Sequence, residues 1–203
     1  MRSLLKKHIF AIKNIHMRGI LLTIICSVSL CFYSFANPID ACLAEDSIEL
    51  IDYYPNGNKK LEGFYYPRVD ERGRPLYVAV GKQISYYPSG KIQGCQYYKN
   101  GVPHGQCVTY TEQGAIDKSY FLVDGKLEGP YVYNYPDGSV KRVGTFKNDD
   151  DYGLSREYFS DGILALEQYF NGKGVQEGEV KIYDKNGVLI KQEIMYDGKK
   201  IKK

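Results

Sequence analysis

The chain has 203 residues, room for one large domain or a run of small repeats, and 25% of them are charged, as in ordinary folded proteins. Five basic residues and no acidic one lie in residues 1–36; the rest carries 22 basic against 24 acidic groups, a net of −2, and that balance excludes generic nucleic-acid binding. His104 is the one histidine beyond residue 36, which excludes any mechanism that needs two.

The first predicted element is an export signal over residues 1–36. Gly19–Ala36 is an apolar run without charge that follows Lys6, Lys7, Lys13 and Arg18. Ser34 and Ala36 put small residues three and one before a cut at Ala36–Asn37, which completes the signal-peptide pattern. A retained membrane anchor is the competing reading, because 18 apolar residues can just span a bilayer. A lipoprotein anchor is disfavoured, since Leu30 and Ile25 precede Cys31 and Cys26 where a small residue is needed. The expected location is outside the cytoplasm: periplasmic, cell-envelope or secreted. Residues 37–47 read as a linker.

From residue 48 the chain repeats itself. Gly81, Gly105, Gly129 and Gly153 are spaced by 24 residues, and Gly178 follows one residue late. Five residues after each stand Tyr86, Tyr110, Asn134, Tyr158 and Tyr183, and nine residues after each stands a second glycine. An earlier copy starts at Ile48, with Tyr53 and Gly57, which makes six. Pro-Asn-Gly, Asn-Gly and Asp-Gly punctuate segments rich in Tyr, Val, Ile and Phe, so each copy reads as two short strands. No segment has a sustained helical apolar period. The predicted fold is all-β: an elongated antiparallel meander of tandem hairpins over 48–203, about 12 strands at roughly 4.8 Å spacing.

These glycines, tyrosines and hairpin signals resemble the MORN repeat in its looser bacterial variant, most closely at Tyr98-Lys99-Asn100-Gly101 and Gly105–Tyr110. The resemblance implies a binding or scaffolding module, in some relatives near membranes and in some bacterial ones labelled antitoxin; it supplies no catalytic residue. Three departures stand out: there is no Trp, Asn134 replaces Tyr, and Asp149 occupies the place of Gly101 and Gly125. The last predicts a distorted junction between neighbouring copies.

Candidate sites follow in chain order. Arg68 to Gly81 spans 13 residues where Gly101 to Gly105 spans four, so a loop is expected near 69–76, and Arg68, Arg72 and Arg74 are its candidate partner contacts. Cys95 and Cys107 lie six residues before and after Gly101, so a hairpin turning there would oppose them; a disulfide is the candidate, with two buried thiols as the alternative and Cys42 left over. Such a bridge is worth about 3 kcal/mol in the chain-entropy model. His104, beside the repeat glycine, reads as a turn residue. Tyr131, Tyr133 and Tyr135 alternate, so they share a face and form either a repeat core, the preferred reading, or an exposed grip for sugar or protein.

The acidic run Asn148–Asp151 lacks the alternating ligands of a calcium loop and reads as solvated. The terminal lysines guard an edge strand or touch an anionic surface. The Cys and His spacings fit no zinc site. No cofactor or metal is expected. The functional expectation is an exported, non-enzymatic repeat protein that binds another macromolecule, a protein first, or a glycan or membrane surface. An anchored envelope scaffold and an antitoxin-like protein binder are the alternatives. A carboxylate-driven glycan hydrolase is least favoured, because a meander sheet seldom builds its cleft.

Overall fold

The computed structural model describes residues 46–201, all as strand, turn or coil with no helix. The export segment, its cut at Ala36–Asn37 and Cys42 lie outside the described residues. The strands are β1 (Ile48–Tyr53), β2 (Lys59–Val69), β3 (Pro75–Tyr86), β4 (Ile92–Lys99) and β5 (Val102–Tyr110). Next come β6 (Ile116–Val123), β7 (Lys126–Leu127), β8 (Gly129–Asn134), β9 (Val140–Lys147) and β10 (Asp150–Tyr158). β11 (Leu164–Phe170), β12 (Gly178–Tyr183), β13 (Leu189–Tyr196) and β14 (Lys199–Lys200) complete the set. All 14 join one open antiparallel sheet in chain order, with β7 beside the path on β6. The two strands beyond the expected 12 are the two-residue stubs β7 and β14.

Two kinds of turn join the strands, and they alternate from Tyr87 to Ile163. Eight five-residue turns share one pattern, in which the first amide donates to the fifth carbonyl and the fourth amide to the first carbonyl; Tyr54–Asn58 and Tyr87–Lys91 are examples. The fourth residue is glycine each time, as Gly57 (φ 87°) and Gly90 (φ 86°) illustrate, because that place lies in the left-handed region. The other ends carry two-residue turns with positive φ at both positions: Asn100-Gly101, Asp124-Gly125, Asn148-Asp149 and Asp197-Gly198. Asp149 holds φ 76° there, so the junction expected to be distorted keeps the common geometry. At Asn171-Gly172 the chain uses the five-residue turn, closed at Gly174.

The insertion is not a loop. β2 and β3 run to 11 and 12 residues and continue their pairing through Tyr66–Val78, Pro67–Tyr77, Arg68–Leu76 and Val69–Pro75. β1 stops pairing at Tyr65 and β4 at Gly81, so this tip is a two-stranded finger beyond the repeat sheet. The turn Asp70–Arg74 closes it.

One cross-strand row holds most of the buried side chains, with Val80, Phe146 and Phe170 buried beside it. It runs Gly63–Gln83–Gln96–Cys107–Tyr120 and continues through Tyr131–Gly144 and Ser155–Gln168 to Val180. Gln83, Cys107, Tyr131, Ser155, Gln168 and Val180 are all buried. The buried amides have partners: Gln83 accepts from the Tyr65 hydroxyl at 2.6 Å and donates to the Phe64 carbonyl at 3.0 Å, and Gln168 accepts from Gln176 at 2.6 Å. Gly144 makes room for Tyr131, whose hydroxyl would stand 2.6 Å from an added Cβ.

Candidate binding surfaces on the finger and the sheet

The finger is held by its own turn. The Asp70 carboxylate accepts from the backbone amides of Arg72 and Arg74, both at 2.9 Å, and from the Arg74 guanidinium at 2.7 Å. These bonds, the Arg74 amide first, hold its carboxyl below the usual range. Arg68 rests 5.2 Å from the centre of the Tyr66 ring. Arg74 is thus spent on the turn, while Arg72 is exposed at its apex. Between the arginines stand apolar side chains open to solvent: Val69 at 70% exposure, Leu76 at 49% and Tyr77 at 50%. Pairing puts Val69 and Tyr77 on one face of the tip and Arg68 and Leu76 on the other, with Glu71 exposed beside Arg72 in the turn, a mixed apolar and charged tip suited to protein contact. The unbroken apolar run Pro75-Leu76-Tyr77-Val78-Ala79-Val80 is the sequence signal for the apolar part.

The three alternating tyrosines separate into different roles. Tyr131 is 1% exposed, stacks on Phe146 at 4.2 Å and donates to Asp151 at 2.7 Å. Arg142 completes the group, donating to Asp151 at 2.9 Å and to the Ser155 hydroxyl at 3.3 Å. Burial pushes the Tyr131 hydroxyl up to about 12. Tyr131 is therefore core, as preferred, and its candidate role in partner contact is corrected. Tyr135 sits in a turn, where its hydroxyl donates to the Tyr158 carbonyl at 2.9 Å. Tyr54 does the same to Tyr86 at 2.8 Å, and Tyr87 to Tyr110 at 2.7 Å. This lock from one copy to the next uses the residue just after the repeat position held by Tyr53, Tyr86 and Asn134, and the repeat spacing alone does not mark it.

Tyr133, half-buried like Tyr135, borders a hollow in the sheet face. Its ring, 5.0 Å from that of Tyr131, lies in a hollow of about 370 Å³ with Lys118, Asn134, Arg142 and Glu157 around it. Lys118 stands 5.8 Å from the ring centre. The hollow mixes cations, carboxylates and one half-buried ring, a weaker contact surface than the finger.

The cysteines do not oppose each other. Cys95 pairs with Val108 and Cys107 with Gln96, so their side chains point to opposite faces, and both thiols are free. Burial pushes both thiols up. His104 contacts Asp124 at 3.2 Å across neighbouring turns, a local brace with no nucleophile in the arrangement. In the acidic run, Asp149 accepts from the Leu127 amide at 2.8 Å and Asp151 serves Tyr131 and Arg142. Among the described residues no group of three or more His, Cys, Asp and Glu could hold a metal ion.

Comparison with known proteins finds a known repeat in the sheet, and the finger lies outside the matched segments. The MORN repeat variant matches residues 79–100, 127–148 and 176–197, each segment holding one hairpin with its five-residue turn. No curated protein matches the chain. A solved structure of a protein with unknown function from Bacteroides fragilis NCTC 9343 aligns over 73% of this chain and 91% of its own, at 9% identity and a TM-score of 0.15, a likeness too slight to carry an argument. Three segments of the chain thus match the MORN repeat variant, and the same kind of hairpin recurs between them.

Proposed function

We propose that this chain is an exported, non-enzymatic binding module that uses the finger at the end of β2 and β3 to grip another protein. MORN repeats are in general modules that bind proteins or membranes, which supports the class. The observation that carries the finger reading is its exposed Val69, Leu76 and Tyr77 beside Arg68 and Arg72, on a hairpin that adds nothing to the repeat sheet. Aromatic and arginine side chains are the residues most enriched among the anchors of protein interfaces. The partner would offer an apolar hollow with acidic margins.

The test is a photo-reactive residue placed at Tyr77 in the cell, with Ile116 as an exposed control on the sheet. A discrete adduct with another protein from Tyr77 and none from Ile116 is expected; equal labelling from both, or none from Tyr77, contradicts the reading. Export is tested on the same material. Mature chain beginning at Asn37 is expected, and an intact leader on most molecules would favour the anchored alternative.

A further inference from the structure

The two outer strands of the sheet are opposite in charge and matched in register. Asp46, Glu49 and Asp52 lie on or just before β1, with no basic residue among them. At the other end β13 and β14 expose Lys191, Lys199 and Lys200 around a single carboxylate, Glu193, which pairs with Lys191 at 3.1 Å and with Lys200. Asp52 on β1 pairs with Lys60 of β2 at 2.9 Å, so Glu49 and Lys199 carry the excess charge of the two edges. Among the described residues β1 pairs only with β2, and β14 covers β13 only at Met195 and Tyr196. Both strands also expose apolar side chains, Ile48 and Ile51 on β1 and Leu189, Ile190, Ile194 and Tyr196 on β13.

Cross-strand rows show what each edge is shaped to meet. One row starts Asp52–Leu61–Ser85, crosses every repeat, and ends Leu166–Ile182–Lys191. Asp52 and Lys191 are thus its two open ends. β1 occupies the same phase of the repeat as β8 and β12, with Ile48 in the place of Gly129 and Gly178. A second copy's β1 laid against β13 in that phase sets Asp52 opposite Lys191, as Tyr133 stands opposite Lys118 and Ile182 opposite Leu166. It also sets Ile51 opposite Gln192, as Val132 stands opposite Ser119. Those in-chain junctions use two residue pairs each, so a junction between copies needs no more backbone pairing than the chain already uses.

The geometry points to head-to-tail association of this chain with copies of itself, the acidic β1 edge of one on the basic β13–β14 edge of the next. Like edges are excluded by the same charges, since two β1 strands would oppose carboxylates and two β13 strands would oppose lysines. The contact is heterologous, so it builds rings or open chains and not only pairs.

Charge reversal tests it on the full chain. One variant carries Glu49→Lys and Asp52→Lys, which makes both edges basic; the other carries Lys191→Glu, Lys199→Glu and Lys200→Glu, which makes both acidic. All five positions are exposed, and circular dichroism confirms that each variant keeps its strands. Sedimentation of the unaltered chain should rise with concentration, each variant alone should lose that rise, and an equimolar mixture should regain it. A concentration-independent wild type, variants that associate as the wild type does, or a mixture that stays monomeric would each overturn the inference.

Discussion

At the residue scale, the core row depends on two glycines that give space to large neighbours. In Gly144→Ala the new Cβ meets the Tyr131 hydroxyl at 2.6 Å and ring carbons at 2.7 and 2.9 Å. Tyr131 cannot retreat, because Phe146 stacks on it and Asp151 holds its hydroxyl. A loss of about 1–3 kcal/mol in urea unfolding is expected, the range for overpacked cores. Gly63→Ala meets the side-chain end of Gln83, which can turn aside at the cost of its bonds to Tyr65 and Phe64 and without moving a ring, and should cost less. The reverse order would contradict this packing. Tyr131 also sets a pH dependence. Its hydroxyl titrates near 10 when unfolded and at about 12 when folded, so the unfolded chain ionises first. Its contribution to stability is full below pH 10 and is lost as pH rises through about 12. Unfolding curves in that alkaline window should fall less steeply with pH for Tyr131→Phe than for the wild type. Equal slopes would mean that another group governs the loss. The cysteines give a third check: peptide mapping of unreduced chain should find Cys95 and Cys107 both alkylated, and a linked Cys95–Cys107 peptide would contradict the register.

Elements were legible in the sequence wherever glycine marks a conformation that other residues avoid. The repeat glycines, Asn100-Gly101 and Asp124-Gly125 located the hairpins because only a narrow set of residues tolerates positive φ. The cysteine register was not legible for a reason of parity. A two-residue turn at Asn100-Gly101 pairs Lys99 with Val102, hence odd with even numbers, and the irregularity between Gln96 and Tyr98 preserves that parity. Two odd-numbered residues cannot then be opposed, whatever their distance from Gly101. The finger was misread as a loop because Arg72-Gly73-Arg74-Pro75 looks like connection, whereas strand pairing on either side is a long-range property. Asp149 shows a turn tolerating a poor residue: it adopts φ 76° and accepts from the Leu127 amide in return. Asp149→Ala loses that bond and keeps the strain, while Asp149→Gly loses the bond and relieves the strain. Thermal or urea unfolding should place the alanine variant about 1 kcal/mol below the glycine variant. Equal stabilities would show that the turn is not strained there.

At the scale of the whole molecule, a self-sufficient repeat sheet carries a finger that belongs to no repeat. Between Arg68 and Gly81 nine residues separate this copy from the spacing of Gly101 to Gly105. Deleting residues 69–77 with Pro67→Asn and Arg68→Gly would recreate the common two-residue turn and leave the sheet intact. The central claim is that the sheet supplies stability and the finger supplies recognition. The decisive measurement is how much of the protein labelled from Tyr77 is retained by this shortened chain, relative to the intact one, with the strand signal in circular dichroism read on the same samples. The account predicts an unchanged strand signal and retention reduced to background. Retention equal to that of the intact chain, or loss of the strand signal itself, would contradict it.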